Sequence, residues 1–339
     1  MQDDNRQKLK VIFFQRKPRP QNFSVEILFK EIRAHFSDNT ESVVQVAKYP
    51  SNGFWKRLYI GLEAAFAQRS GYVNHITGDI TFIGLFLKKN RTVLTLLDLG
   101  MMHHPNPIAR HILKIFWVAL PVRRAAVVTT ISQATKDELV KLLHCDPTKI
   151  EVVHVPVLNK LAPCRKVFDK QRPIILQVGT KRNKNLERLV EALKEIPCHL
   201  EIIGDGVAKE VLEKLDQYGL SCSISARLSE EEMVNKYKEC DLVTFVSTHE
   251  GFGMPIVEAN IVGRPVVTAN VSSMPEVAGN AAHLVDPFDV ADIRRGILKV
   301  IEEDAYREQL ILNGFENQKR FKAELIAGQL EAIYRRVAA

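Results

Sequence analysis

The chain has 339 residues, 26% of them charged and 46% hydrophobic, and carries a net charge of +7. Its length exceeds the ~100–200 residues of a typical domain and implies two. A near-average apolar share excludes disordered, collagen-like and coiled-coil classes, and no apolar run approaches the roughly 18 residues a membrane span needs.

In chain order, the polar start with Asp3 and Asp4 does not read as a signal peptide. An apolar run at 11–14 follows, then a loop from Gln15 to Phe23 that holds Arg16, Lys17 and Arg19 and no glycine. A helix is predicted over 24–36. Short apolar runs at 43–46, 73–76, 93–97 and 126–131 read as strands, with a helix over 135–143. Residues 108–124 mix Arg110, Lys114, Arg123 and Arg124 with Ile, Leu, Phe and Trp. That pattern suits either an anionic membrane surface or a buried helix with basic ends. The stretch over 155–172 is basic, contains proline and has no period, so a linker is placed at 158–172. Beyond it, β-rich runs at 174–178, 200–203, 242–246, 265–268 and 283–285 alternate with helical stretches at 185–196, 207–218, 230–239 and 255–262. Such alternation argues for a parallel sheet with helices on both faces, whose strands read as unbroken apolar runs. A last helical pattern covers 322–337. The domain limits read from this are 1–157, 173–320 and a closing helix within 321–339.

Five scattered cysteines without a CxxC pair read as reduced thiols, not a disulfide frame or zinc site. Charge divides unevenly: residues 1–157 hold 22 Lys and Arg against 13 Asp and Glu, or +9, and the remainder is −2. A basic half points to an anionic partner, such as nucleic acid, phosphosugar or membrane surface. No RNP-like strand or zinc finger supports nucleic acid, which is not expected to bind.

Two loops carry candidate chemistry. The segment Glu250-Gly-Phe-Gly-Met-Pro-Ile-Val-Glu258 follows a predicted strand and sets Pro255 where a helix would start. Glycines 251 and 253 allow close backbone approach, and the helix end offers free N–H groups to an anion. The arrangement suits a sugar nucleotide, with diphosphate on the helix end, hexose at Glu250 and ribose at Glu258. The plainer alternative is a glycine turn with two surface glutamates. The second loop, Gly179-Thr-Lys-Arg-Asn-Lys-Asn185, sets Lys181, Arg182 and Lys184 at the carboxyl end of a strand, where open α/β sheets bind ligands. These cations would stabilise charge on a departing diphosphate; a solvated basic turn is the alternative. Gly204-Asp-Gly206 reads as a tight turn, His249 as solvent-exposed, and Ser272-Ser273 as a helix cap.

The runs VGTKRNKNLERLVEAL, LSEEEMVNKYKECDLVTFVST, HEGFGMPIVEANIVGRPVVTANVSSMPEVAG and AAHLVDPFDV resemble retaining glycosyltransferases of family 4, over essentially all of residues 172–300. VNHITGD, TVLTLLDLG and VTTISQATKDEL resemble, more loosely, the acceptor domain of bacterial members. The resemblance implies the GT-B fold, an α/β architecture of two Rossmann-like domains facing each other across a cleft, with the C-terminal helix crossing back to the N-terminal domain. It implies that Glu250 contacts the donor sugar and Glu258 the ribose. Lys184 would hold the donor phosphates together with Arg182 or Lys181, and Arg227 and Leu228 would lie by the base. Gly179, Thr180, Phe252, Gly253, Met254 and Pro255 would complete the donor site. Asp98 belongs with the catalytic set, but Leu97 stands where family members often have histidine, leaving His75, His103 or His104 as stand-ins on the acceptor side. The first loop departs as well: Arg16, Lys17 and Arg19 replace the usual glycines.

The expected activity is metal-independent, cofactor-free transfer of a hexose, with retention, from a GDP- or UDP-linked donor to a saccharide or lipid-linked saccharide. The leaving phosphate would help deprotonate the acceptor, in keeping with the lack of a Ser-His-Asp or Cys-His arrangement. A sugar-nucleotide epimerase of the same fold and a catalytically weak nucleotide-sugar-binding protein are the alternatives. A cytoplasmic location is expected, with peripheral contact at the inner face of an anionic cell membrane.

Overall fold

A computed structural model describes residues 8–18, 24–157 and 160–339. Arg19 lies outside the described residues. The chain divides into two compact units, Met1–Pro156 with Lys322–Ala339 (unit 1) and Val157–Phe321 (unit 2).

Unit 1 begins with β1 (Leu9–Gln15), α1 (Ser24–Ala34), β2 (Thr40–Val46), α2 (Phe54–Ala67), β3 (Val73–Ile76) and β4 (Thr92–Leu96). A helix then runs from α3 (Pro107–Leu113) through a π-turn at Lys114–Ala119 into α4 (Leu120–Arg124), before β5 (Val127–Thr130), α5 (Gln133–Leu143) and β6 (Ile150–Val152). The strands are parallel in the order β2-β1-β3-β4-β5-β6. Strand β1 shows why such a sheet reads as continuous apolar sequence: Val11 and Phe13 pack with Phe29 and Ile32 of α1, whereas Ile12 and Phe14 pack with Ile76 and Leu94 in a second cluster.

Unit 2 contains β7 (Ile174–Val178), α6 (Leu186–Leu193), β8 (His199–Ile203), α7 (Lys209–Gln217), β9 (Cys222–Ser225) and α8 (Glu230–Glu239). Then come β10 (Leu242–Phe245), α9 (Met254–Val262), β11 (Val266–Ala269), α10 (Met274–Ala278), β12 (His283–Val285), α11 (Val290–Glu302) and α12 (Asp304–Asn317). Its parallel order is β12-β11-β10-β7-β8-β9, the doubly wound arrangement in which the chain reverses direction of travel between β7 and β10. Helix α6 buries Leu186, Leu189, Val190 and Leu193, the i, i+3, i+4, i+7 stripe of one helix face. Helix α8 starts on a reciprocal cap between Ser229 and Glu232.

Residues 160–172, read from sequence as linker, are extended chain laid on unit 2: Lys166 pairs with the buried Asp241 at 2.7 Å, and Arg264 donates to the Cys164 carbonyl at 2.8 Å. The last helix, α13 (Ala323–Ala338), packs Ile326, Leu330, Ile333 and Tyr334 into the α1 side of the unit 1 sheet. All five cysteines are free, and among the described residues no helix is long and apolar enough to cross a membrane.

Candidate functional site

In unit 2 the topological switch lies between β7 and β10, so the loops after these two strands open side by side at the carboxyl edge of the sheet. They are laced together. The Thr248 N–H donates to the Asn183 carbonyl at 2.8 Å, the Asn183 amide donates to the His249 carbonyl at 3.0 Å, and the Asn185 amide reaches the carbonyls of Val246 and Pro287. Asn185 is buried and left-handed at φ 59°, which asparagine tolerates better than most residues.

Lys184 and Glu250 meet in this lacing, Nζ to Oε1 at 2.7 Å, with both side chains largely withdrawn from solvent. The same Glu250 oxygen accepts from the Asn183 amide at 3.1 Å, and the Lys184 ammonium lies 4.6 Å from the centre of the Phe245 ring. Gly179 makes room: at φ 95° its backbone is left-handed, and a Cβ there would come within 2.8 Å of Lys184 Cε. Lys181 and Arg182 are exposed beside the pair. Thr180 donates to the Asp205 carbonyl, and Arg227, itself left-handed and exposed, sits 3.6 Å from the Asp205 carboxylate with Leu228 next to it.

Gly253, at φ 115°, launches α9, whose first turn has no side-chain cap; Pro255 brings no N–H and the Ile256 N–H donates to the Gly253 carbonyl at 3.0 Å, so the Met254 N–H and the positive dipole end are what it offers an anion. Met254 opens the helix and Pro255 stands second. The preceding loop is held by carbonyl contacts: the hydroxyls of Ser272 and Ser273 reach the Glu250 carbonyl at 2.7 and 2.9 Å, and Ser273 lies 2.6 Å from the Phe252 carbonyl. The reading of these serines as a helix cap is therefore corrected, since Ser273 makes no side-chain cap to α10 and the hydroxyls act across the site. Phe252 is buried, its ring edge-on against Phe321. Glu258, one turn into α9, accepts from the Tyr237 hydroxyl at 2.5 Å. Burial raises its carboxyl above the usual range, opposed by the Tyr237 hydrogen bond and the charge of Lys184.

The structure thus brings together Gly179, Thr180, Lys181, Arg182, Lys184, Glu250, Phe252, Gly253, Met254, Pro255 and Glu258. Sequence reasoning missed Asn183, Asn185, Tyr237 and the bridging role of the two serines. Asn185 closes the 182–184 turn as its left-handed last residue, a position that asparagine favours, and that was the available signal for it.

In unit 1 the corresponding switch lies between β1 and β3. Arg16, after β1, is buried and donates to Glu26 at 2.8 Å and Asp79 at 3.3 Å. It is an internal counter-charge, not the open cation proposed for an anionic acceptor. Lys17 is exposed. His75 is not a stand-in for the family histidine. It points into the core, with Nδ1 2.6 Å from the Tyr334 hydroxyl and Nε2 2.7 Å from Thr95 Oγ1. Burial, with the charge of Arg33, lowers its pKa to about 3. Asp98 is exposed past β4 and accepts from the Gly100 N–H at 2.8 Å, closing a turn that leads to the one-turn helix Gly100–His103. His104 is exposed and accepts from the Asn106 N–H at 3.2 Å.

Residues 163–317 match the family described as glycosyl transferases group 1. Over 150 residues the chain is 32% identical to the serotype-specific mannosyltransferase WbdA of Escherichia coli, an alignment covering 41% of this chain and 18% of that protein; the chain thus spans under a fifth of that relative's length. The O-antigen chain mannosyltransferase B of E. coli is 27% identical over 259 residues, covering 69% of this chain and 67% of the relative. Among solved structures, Anabaena HepE in complex with UDP and glucose superposes with a TM-score of 0.76 at 18% identity, covering 97% of this chain and all of that one. Sucrose-phosphate synthase from Thermosynechococcus elongatus gives 0.73 at 17% identity, with 97% and 99% covered. At these identities the structural likeness speaks to fold alone, and the fold is that of the GT-B glycosyltransferases, two Rossmann-like units.

Proposed function

We propose that this chain, whose residues 163–317 match the group 1 glycosyltransferases, transfers a hexose, with retention and without a metal ion, from a nucleoside-diphosphate sugar to a saccharide or lipid-linked saccharide. The observation that carries this reading is the Lys184–Glu250 pair, set at the switch point of unit 2 beside the uncapped start of α9. Mannose is the favoured sugar, on the names of the relatives matched by sequence.

Each group then has a task. The diphosphate lies on the first turn of α9 and on Lys184, with Arg182 and Lys181 at its outer edge. Lys184 is shared between Glu250 and the phosphates, which leaves Glu250 to accept hydrogen bonds from the sugar hydroxyls. Glu258, fixed by Tyr237, accepts from the ribose. In the reaction the bond from the anomeric carbon to the phosphate oxygen breaks and a bond to the acceptor oxygen forms on the same face. The acceptor proton passes to the leaving phosphate, whose new charge meets cations already in place. These cations supply the stabilisation that a divalent ion would otherwise give.

The test is to incubate the chain with a panel of GDP- and UDP-hexoses, with and without saccharide acceptors and with EDTA. Acceptor-dependent release of the nucleoside diphosphate, unaffected by EDTA, is expected. Donor turnover without any acceptor would instead favour the epimerase, and binding without turnover the silent binding protein.

A further inference from the structure

The loop after β7 carries a side chain to which the transfer reading gives no task. Asn183 lies one position before Lys184, half-buried, and its amide nitrogen donates to the His249 carbonyl at 3.0 Å and to Glu250 Oε1 at 3.1 Å. A carbonyl and a carboxylate only accept, so both partners require the nitrogen on that side, and they fix the orientation of the amide. The Asn183 carbonyl is bonded separately, by the Thr248 N–H at 2.8 Å. Backbone therefore joins the two loops, and the side chain is left for Glu250 and the carbonyl that precedes it.

Two donors converge on one oxygen. Lys184 Nζ lies 2.7 Å from Oε1, the atom that Asn183 also reaches, and among the described residues no protein group donates to Oε2. The backbone of Glu250 is held as well, its N–H 3.2 Å from the Ser272 hydroxyl, and Ser272 keeps φ 57° to stand there. A left-handed serine is strained, and strain of that kind persists where the surroundings over-determine it. A glutamate on a glycine-rich turn would otherwise sample several rotamers and exchange its two oxygens. Here one oxygen is pinned, and the other keeps its acceptor sites open.

The two donors differ in kind. Lys184 is a cation that a bound diphosphate draws toward itself, which loosens its hold on Glu250. The Asn183 amide is neutral, is drawn far less to phosphate, and keeps Oε1 in place while Lys184 turns to the diphosphate. We propose that Asn183 is a positioning residue, holding the Glu250 carboxylate so that Oε2 accepts from the hexose hydroxyls while the diphosphate occupies Lys184. The inference rests on the donor site proposed above and adds to it the group that separates sugar binding from phosphate binding.

Asn183 acts on the sugar alone, through Glu250, so its loss should be felt only when the sugar is present. The whole chain, unmodified and as Asn183→Ala and Asn183→Asp, is titrated calorimetrically with GDP-mannose and UDP-glucose and with GDP and UDP. The better bound of the two sugars should lose about tenfold in affinity for Asn183→Ala, the low end for a hydrogen bond to a charged group, while the matching nucleoside diphosphate changes by less than about twofold. Asn183→Asp keeps the size of the side chain but sets a second carboxylate against Glu250, so the ratio of sugar to diphosphate affinity should fall further than in Asn183→Ala. A residue that only filled the loop would rank the variants the other way, the near-isosteric Asp being the milder change. Equal losses for sugar and diphosphate, an unchanged ratio in Asn183→Ala, or a milder effect of Asp than of Ala on that ratio would overturn the proposal and leave the donor site standing. An unmodified chain that binds neither sugar would overturn both.

Discussion

The two units share a doubly wound topology and treat their switch points in opposite ways. In unit 2, which belongs to the half of the chain with net charge −2, the loops at the switch gather Lys181, Arg182 and Lys184, and Glu250 pairs directly with Lys184. In the strongly basic first half, Arg16 at the switch of unit 1 is buried and paired with two carboxylates, Glu26 and Asp79, and among the described residues of that loop Lys17 is the exposed cation. Net charge therefore says little about the charge of a site. Topology decides where a ligand can sit, and the local pairing of each cation decides whether it is available to one.

Substitutions at the two switches test this contrast. Lys184→Ala should have the largest effect, lowering kcat by roughly 10²–10³, about 2.7–4 kcal/mol of transition-state stabilisation, as read by steady-state kinetics. A rise in KM with kcat unchanged would assign Lys184 to ground-state binding alone. Arg16→Ala in unit 1 should act on stability instead, by about 2 kcal/mol, below the range for a wholly buried pair because Asp79 keeps about a third of its side chain in water. Calorimetric unfolding would show it. An unchanged midpoint with altered acceptor KM would break the comparison, making the unit 1 switch a ligand site too.

Smaller effects concern the titrating groups. Glu258→Gln should weaken donor affinity about tenfold, the low end for a hydrogen bond to a charged group. Because burial raises the Glu258 carboxyl, donor affinity of the unmodified chain should fall on acidification before an ordinary carboxylate would protonate, whereas the Gln variant should lack that component. In unit 1, native His75 stays neutral down to about pH 3, while an unfolded histidine takes up its proton below about 6.5. The unfolded state thus binds the extra proton between these values, so stability should decline as pH falls through that window. His75→Gln should flatten the decline, as followed by thermal midpoints.

Much of unit 2 was legible because doubly buried strands leave unbroken apolar runs, as in β7 and β10, and because the Gly-rich turn and Pro255 announce α9. What escaped had physical reasons. Strand β9 reads Cys-Ser-Ile-Ser at a sheet edge with half its side chains in water, and β6 has three residues, so neither produces a run. Helix α2 escaped because apolar residues occupy two of its faces and no side chain caps its start, which blurs the amphipathic period. The Ser272 and Ser273 hydroxyls bond a loop more than twenty positions away in sequence, and local spacing suggested only a cap. Composition could place Arg16, Glu26 and Asp79 on the page but not together, since β3 brings in Asp79 from 63 positions away.

The central claim is that the β7 and β10 loops with α9 form a site for the diphosphate and sugar of a nucleotide sugar, beyond a nucleotide alone. Calorimetric titration of the whole chain with a nucleoside-diphosphate hexose and with the matching nucleoside monophosphate addresses it directly. The account predicts that the diphosphate sugar binds at least about tenfold more tightly, since it alone reaches Lys184, Glu250 and the start of α9. Equal affinity for the two, or no binding of any nucleoside-diphosphate sugar, would contradict it.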